Sequence, residues 1–381
     1  MARPSYSVKI RFDGVNWQTV TGVREISIQG GRQDELARIE PTRLSMELEN
    51  TDGRFSPELA SGAYYPHVKP MRRLSVVASH NSVDYGLFYG WIDRWVPAVR
   101  GDDPVVVVSA VDMSIRLAAH ELNKSMAQQL TGARLGALLD EIGWPGDSRD
   151  LDAGQSTLPA VDLAKTSILQ HVQDVMVAED GVFWMAGNGQ PTFRDRHARM
   201  LKAASVVSQA TFGGPSGLPF TAGEYDYAVD QVYNDVRIVR TGGTEQRAED
   251  ATSQSEYEIV RTLRVESPHF TDDNEAAAYA EWRLGQHKDP VPRLRWIQLE
   301  GGSDDSLWVQ MLSRTIGDRI TVVHEFPGAM GLNRDFWVEG FRHDITDGLN
   351  RHVVQWQLSK ADAIPWFVLD RSQLDVGMLA Y

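Results

Sequence analysis

An ordered set of strand-like segments near the start of this chain recurs near its end, and that recurrence constrains the fold more than any other feature. Arg72 to Val77, Phe88 to Asp93 and Val105 to Asp112 reappear in order as Asp318 to Val323, Val338 to Asp344 and Val353 to Leu358. Upstream, Arg43 to Glu49 resembles Arg293 to Glu300, and Ile26 to Gly31 resembles Val236 to Gly243. Each segment is short, but the shared order and the Gly-aromatic strand ends point to a duplicated antiparallel unit.

A chain of 381 residues exceeds the size at which one core keeps growing, so two to four packed units are expected. The absence of cysteine excludes a disulfide framework, thiolate metal sites and a cysteine nucleophile, and fits assembly in a reducing cytoplasm. The segment Met1 to Ser7 has no apolar signal core, and no uncharged apolar run approaches a membrane span, so no membrane insertion is expected. With 38 Lys and Arg against 52 Asp and Glu, the net charge of −14 argues against a surface built to neutralise phosphates.

Residues 1–118 read as a first β-barrel: Ser7 to Phe12 alternates, Asp13-Gly14 supplies a hairpin turn, and Trp17 to Val20 follows. Two turn-rich loops, Asn50 to Pro57 and Ser61 to Pro70, interrupt it. Residues 119–202 read as a small α+β domain. Leu135, Leu138, Leu139 and Ile142 fall at helical spacing before Gly143. A second helix carries Ile168, Val172, Val175 and Met176, with capping-box spacing at Ser167 and Gln170 and an end at Gly181. A hairpin, Val182 to Met185 with Pro191 to Arg194, completes the domain. Residues 203–363 read as a second β-barrel whose pattern resumes at Val229. It carries a polar and helical insertion at about 244–290, capped by Asp272 with Glu275 and stopped at Asp289-Pro290. Residues 364–381 form an apolar C-terminal extension of the kind that packs on a neighbour. The fold class is therefore mainly β with an α+β insertion.

Catalytic chemistry finds no foothold. The histidines include no pair at i and i+4, and Asp147, Asp150 and Asp152 lack the spacing and bidentate Glu of a calcium loop. Gly213 to Gly217 has neither a phosphate-loop Lys nor a strand-to-helix context, and Ser216 stands in no nucleophile elbow. The acidic pairs at 102–103, 272–273 and 304–305 sit in turn contexts, where such side chains cap backbone amides. No catalytic, cofactor or metal residue is expected, and the chain reads as a non-enzyme. Among the aromatics, Trp91 and Trp356 read as core, while Tyr64, Tyr65 and Trp366 are interface candidates.

Several motifs together resemble one family. They are Asn50 to Pro57, Tyr64 to Leu74, Gly90 to Trp95, Phe193 to Arg196, Tyr233 to Val236, Ile316 to Ile320 and Val338 to Asp344. The chain resembles the minor tail proteins of phages infecting actinobacteria, which are similar to the central hub proteins of phage tail tips and contractile baseplates. The usual Gly-Arg-Pro after Tyr-Tyr-Pro is replaced here by Pro70-Met71-Arg72. The resemblance implies two tube-type β-barrels per chain beside an α+β region, and a homotrimer whose six barrels adapt a six-fold tail tube to a three-fold tip. It also implies contacts with the tail tube or distal tail ring, with tip, spike or receptor-binding proteins and with the tape-measure protein. Genomic DNA would only pass through the lumen, whose acidity would repel phosphates, and the protein would reside in the virion tail. The interface candidates are Asp52, Arg54, Phe55, Tyr64, Tyr65, Pro66, Trp366 and Phe367. A receptor- or carbohydrate-binding tail protein is the alternative, and a cell-wall hydrolase is a weaker one.

Overall fold

The computed structural model describes residues 3–101, 103–267, 269–302, 304–326 and 330–361. Seven strands open the chain: β1 (Ser5–Ile10), β2 (Gln18–Thr19), β3 (Val23–Gly31), β4 (Glu40–Glu49), β5 (Arg73–His80), β6 (Val83–Arg100) and β7 (Asp103–Val111). Alternation fixes their faces, as in β5, where Leu74, Val76 and Ala78 are buried and the residues between them are not. The expected turn after β1 forms, with Asp13 Oδ1 accepting from the Val15 and Asn16 amides and Gly14 at φ +84°. Inward residues of β1, β3, β4, β5, β6 and β7 meet in one core that includes Ile10, Ile28, Met46, Val76, Phe88 and Val108.

A helical segment follows, with α1 (Ser114–Ala119), β8 (Glu121–Met126), β9 (Gln129–Leu130), α2 (Thr131–Glu141), β10 (Asp150–Leu151), β11 (Thr157–Leu158), β12 (Val161–Ser167) and α3 (Ile168–Glu179). The hairpin β13 (Val182–Met185) and β14 (Pro191–Arg194) and two short helices, α4 (Ala198–Leu201) and α5 (Ala203–Val206), complete it. Helix α2 ends as its sequence predicts, with Gly143 at φ +65°. Ser167 caps α3 by accepting from the Gln170 amide. Gly181 was the expected stop of α3, but the left-handed residue is Asp180, at φ +53°, a conformation its short polar side chain tolerates. Trp91 is a buried core residue, but it joins Leu135, Leu138, Val172 and Phe193 in the core of this region and is absent from the first core.

The remainder contains β15 (Thr211–Gly213), β16 (Ala222–Asp226), β17 (Asp235–Arg240), β18 (Gln246–Glu249), α6 (Ala251–Glu256), β19 (Thr262–Ser267) and α7 (Asp273–His287). It closes with β20 (Arg293–Glu300), α8 (Asp305–Ser313), β21 (Arg319–Phe326), β22 (Met330–Thr346) and β23 (Arg351–Lys360). Asp272 caps α7 and Asp304 caps α8, which accounts for two of the acidic pairs. A second large core forms from Leu294, Ile297, Leu299, Val322, Val338 and Trp356.

Thirteen strands share one sheet in the order β16-β20-β23-β22-β3-β4-β7-β6-β5-β1-β2, with β21 beside β22 and β15 parallel beside β21. The first half is therefore wired β4-β7-β6-β5 and the second β20-β23-β22-β21. Two expected correspondences need correction. Val236 to Gly243 does not mirror Ile26 to Gly31, because β17 lies outside the large sheet, between β18 and β19 and under α7. The strand standing to β20 as β3 stands to β4 is β16. In the long strands, Trp91 lies opposite Arg73 and Trp337 opposite Arg319, so Trp91-Ile92-Asp93 corresponds to Trp337-Val338-Glu339. The glycine-based match of Gly90 with Gly340 is offset by four residues.

Candidate functional site

The loop between β4 and β5 carries most of the interface candidates, and its local bonding sorts them. Asn50 Oδ1 accepts from the Phe55 amide at 2.9 Å and Asn50 Nδ2 donates to Ser56 Oγ at 2.9 Å, which turns Phe55 inward. Phe55 is fully buried and stacks with Phe12, Tyr64 and Trp95. It is a core residue and presents no surface, contrary to expectation. Polar neighbours on both sides hid this in the sequence. Tyr64 is half-buried and lies flat on Phe12, with ring centroids 4.0 Å apart. Arg54 donates to the Thr21 carbonyl and hydroxyl and covers the Phe55 ring. Asp52, Tyr65 and Pro66 remain on the surface, Tyr65 being 45% exposed. Trp366 and Phe367 lie outside the described residues. The loop thus acts as a plug over one end of the first core. Phe55→Ala should destabilise the protein by about 3–5 kcal/mol, read from urea denaturation; a loss under about 1 kcal/mol would contradict the plug.

Where the two large cores meet, β22 pairs with β3 from Gly340 opposite Gly31 to Ile345 opposite Ile26. At the start of this seam stands Glu339, fully buried. Arg32 Nε donates to its Oε2 at 2.7 Å, Arg199 Nη2 donates to its Oε1 at 2.6 Å, and Ser359 Oγ donates as well. Burial would raise the Glu339 pKa, but Arg199 and Arg32, with the Ser359 hydroxyl, outweigh it and hold the value at about 2. One carboxylate therefore ties α4, β22, β23 and Arg32, the residue that follows β3, together. The sequence offers a single sign of it, an acid in the middle of an apolar strand.

Histidines also assemble at the seam. His343 Nδ1 and His352 Nε2 are 3.0 Å apart, and the Tyr6 hydroxyl lies 2.9 Å from His352 Nδ1. His171 and His269 meet edge to face in the α+β region, with Arg134 3.2 Å from His171 Nε2. Burial lowers the pKa of His171 to about 3, of His269 to about 4, of His287 to about 3 and of His343 to about 4, and places His352 well below its ordinary value. These groups are neutral in the folded chain, whereas the unfolded chain takes up protons below about pH 6.5. Their contribution to stability is complete above that pH and is lost as pH falls toward 4. Tm should drop by roughly 5–10 °C between pH 7.5 and pH 5, and a constant Tm over that range would contradict this reading.

No group of three or more His, Asp or Glu gathers as a metal site among the described residues. Asp150 and Asp152, from the calcium-like loop, instead pair with Arg194, and Asp152 also binds Lys202 at 2.7 Å. The chemistry concentrated at these places is cross-linking of elements by ion pairs, fully buried on the carboxylate side at Glu339 and partly exposed around Arg194.

No family model and no curated protein matches the sequence. Solved structures do. A 43 kDa tail protein of prophage MuSo2 from Shewanella oneidensis superposes with a TM-score of 0.61 at 14% identity, covering 95% of this chain and 99% of that one. This chain has the fold of phage tail proteins. A tail protein from Neisseria meningitidis is similar, with a TM-score of 0.61 at 12% identity over 94% of this chain and 97% of its own. An E. coli protein superposes with a TM-score of 0.53 at 10% identity over 98% of this chain and 79% of its own. That protein is described as a component of the type VI secretion system with structural similarity to the T4 bacteriophage tail proteins gp27 and gp5.

Proposed function

We propose that this phage-tail fold serves as a structural hub at the tail tip or baseplate. Its two halves would be copies of one tube-type unit, and three chains would form a ring of six units adapting a six-fold tube to a three-fold tip. The observation that carries this reading is the repeated wiring over separate cores, β4-β7-β6-β5 and β20-β23-β22-β21, with Arg73 opposite Trp91 and Arg319 opposite Trp337. Near-complete coverage of both chains in the tail-protein superpositions supports it.

In this role the partners are two further copies, the tail tube or distal tail ring above, and tip, spike or receptor-binding proteins below. The tape-measure protein would meet the ring during assembly, and DNA would cross the lumen in transit. An acidic lumen, drawn from the net charge of −14, would keep phosphates from adhering to the wall. Light scattering on the purified chain tests the assembly: the expected mass is three times that of one chain, and a monomer at high concentration would contradict it.

A further inference from the structure

We propose that copies of this chain join edge to edge, with residues 94–99 of β6 in one copy pairing antiparallel with residues 223–228 of the next copy, along and just past β16. The inference rests on the hub reading and takes its template from the seam inside the chain.

Both long strands change register at the same point. Ile92 lies opposite Ala110 and Val338 opposite Leu358, and each strand then slips at the following acid, Asp93 or Glu339. Beyond the slip, β22 has β23 on one side and β3 on the other. The matching stretch of β6 has β7 on one side and, among the described residues, no strand on the other. Strand β16 ends the sheet path, so its outer edge has no strand either. Leu48 opposite Val106 and Leu299 opposite Val354 align β4 with β20. Gly223, opposite Ile297, then takes the place that Ile26 holds opposite Met46. Transferring the seam places Val99 opposite Gly223 and Ala98 opposite Glu224.

Three further observations fit this arrangement. Ile345, at the far end of the inner seam, leaves its own half and packs into the first core. Its counterpart Val99 is 70% exposed, and a cavity of about 400 Å³ opens beside Gly223, lined also by Phe220, Leu294, Val322 and Leu332. Val99 of a second copy would occupy it as Ile345 occupies the first core. Asp93 Oδ1 is buried without a hydrogen-bond partner among the described residues, at the position where Glu339 receives Arg32 across the inner seam. Charges agree as well, since Arg94 and Arg100 would lie diagonal to Asp226 and Glu224. A contact between two different edges is heterologous, and it forms a ring when the rotation between copies is one third of a turn, which the six-unit hub requires.

The chain has no cysteine, so an introduced pair reports without background. Ala98→Cys combined with Glu224→Cys should oxidise to a covalently closed trimer on a non-reducing gel. Ala98→Cys with Tyr225→Cys should stay monomeric, because a one-residue shift turns the side chain to the other face. Val99→Asp should give a folded monomer with an unchanged circular dichroism spectrum. A trimer by light scattering that does not cross-link at Ala98 and Glu224 would overturn the edge pairing and leave the hub reading standing. A monomeric wild-type chain would overturn both.

Discussion

Replacing Glu339 by Ala should cost about 3–5 kcal/mol of folding stability, because it leaves Arg32 and Arg199 aimed at a buried site with no counter-charge. The loss should exceed that of any single surface ion pair, such as Arg351 with Glu300, for which about 0–1 kcal/mol is expected. Glu339→Gln keeps the shape and one accepting oxygen for the Arg and Ser donors, so its loss should be smaller. The pH dependence separates this carboxylate from the histidines. With a folded pKa near 2, below the ordinary carboxylate value, the Glu339 contribution is complete above about pH 5 and disappears as pH falls toward 2. The histidine contribution is lost at higher pH. Urea denaturation of wild type and Glu339→Gln across both windows should show curves that differ above pH 5 and converge only as pH approaches 2. A Glu339→Ala variant within about 1 kcal/mol of wild type would remove the buried carboxylate from its place as the tie between the halves.

The second large effect is expected at Gly31. Its φ is +90°, and a Cβ there would lie 2.4 Å from both the Glu339 carbonyl oxygen and Gly340 Cα. Any side chain meets both a disfavoured backbone conformation, about 1–2 kcal/mol, and backbone overlap that forces β3 away from β22, about 1–3 kcal/mol. Gly31→Ala should therefore destabilise the chain by about 2–5 kcal/mol. Gly101 is the matched control, since its φ is +63° and nothing lies within 4 Å of the added atom. Gly101→Ala should show the backbone cost alone. Equal losses at the two positions would mean that close approach at the seam is unimportant.

Local signals were legible in the sequence and long-range ones were not. Asp272 before α7, Ser167 before α3 and Gly143 after α2 work through neighbours three or four residues away, so spacing revealed them. The order of strands in each half was legible because alternation and turn residues are local too. Matching the halves residue by residue was harder. Glycine at strand ends suggested one alignment, whereas the pairing of Arg73 with Trp91 and of Arg319 with Trp337 sets another. Strand β17 was misassigned because a short apolar alternation reads the same in any sheet, and its neighbours β18 and β19 lay within a stretch dominated by polar residues. The Glu339 tie joins residues 307 positions apart, and the His343 and His352 pair arises only from the β22–β23 register. In the candidate interface, Asp52, Tyr65 and Pro66 kept their surface positions, while Phe55 was claimed by the core through Asn50.

Electron microscopy of the purified protein should give class averages of a three-fold ring with a central hole and six lobes, two from each chain. A compact particle of one chain, without a hole, would contradict the hub reading.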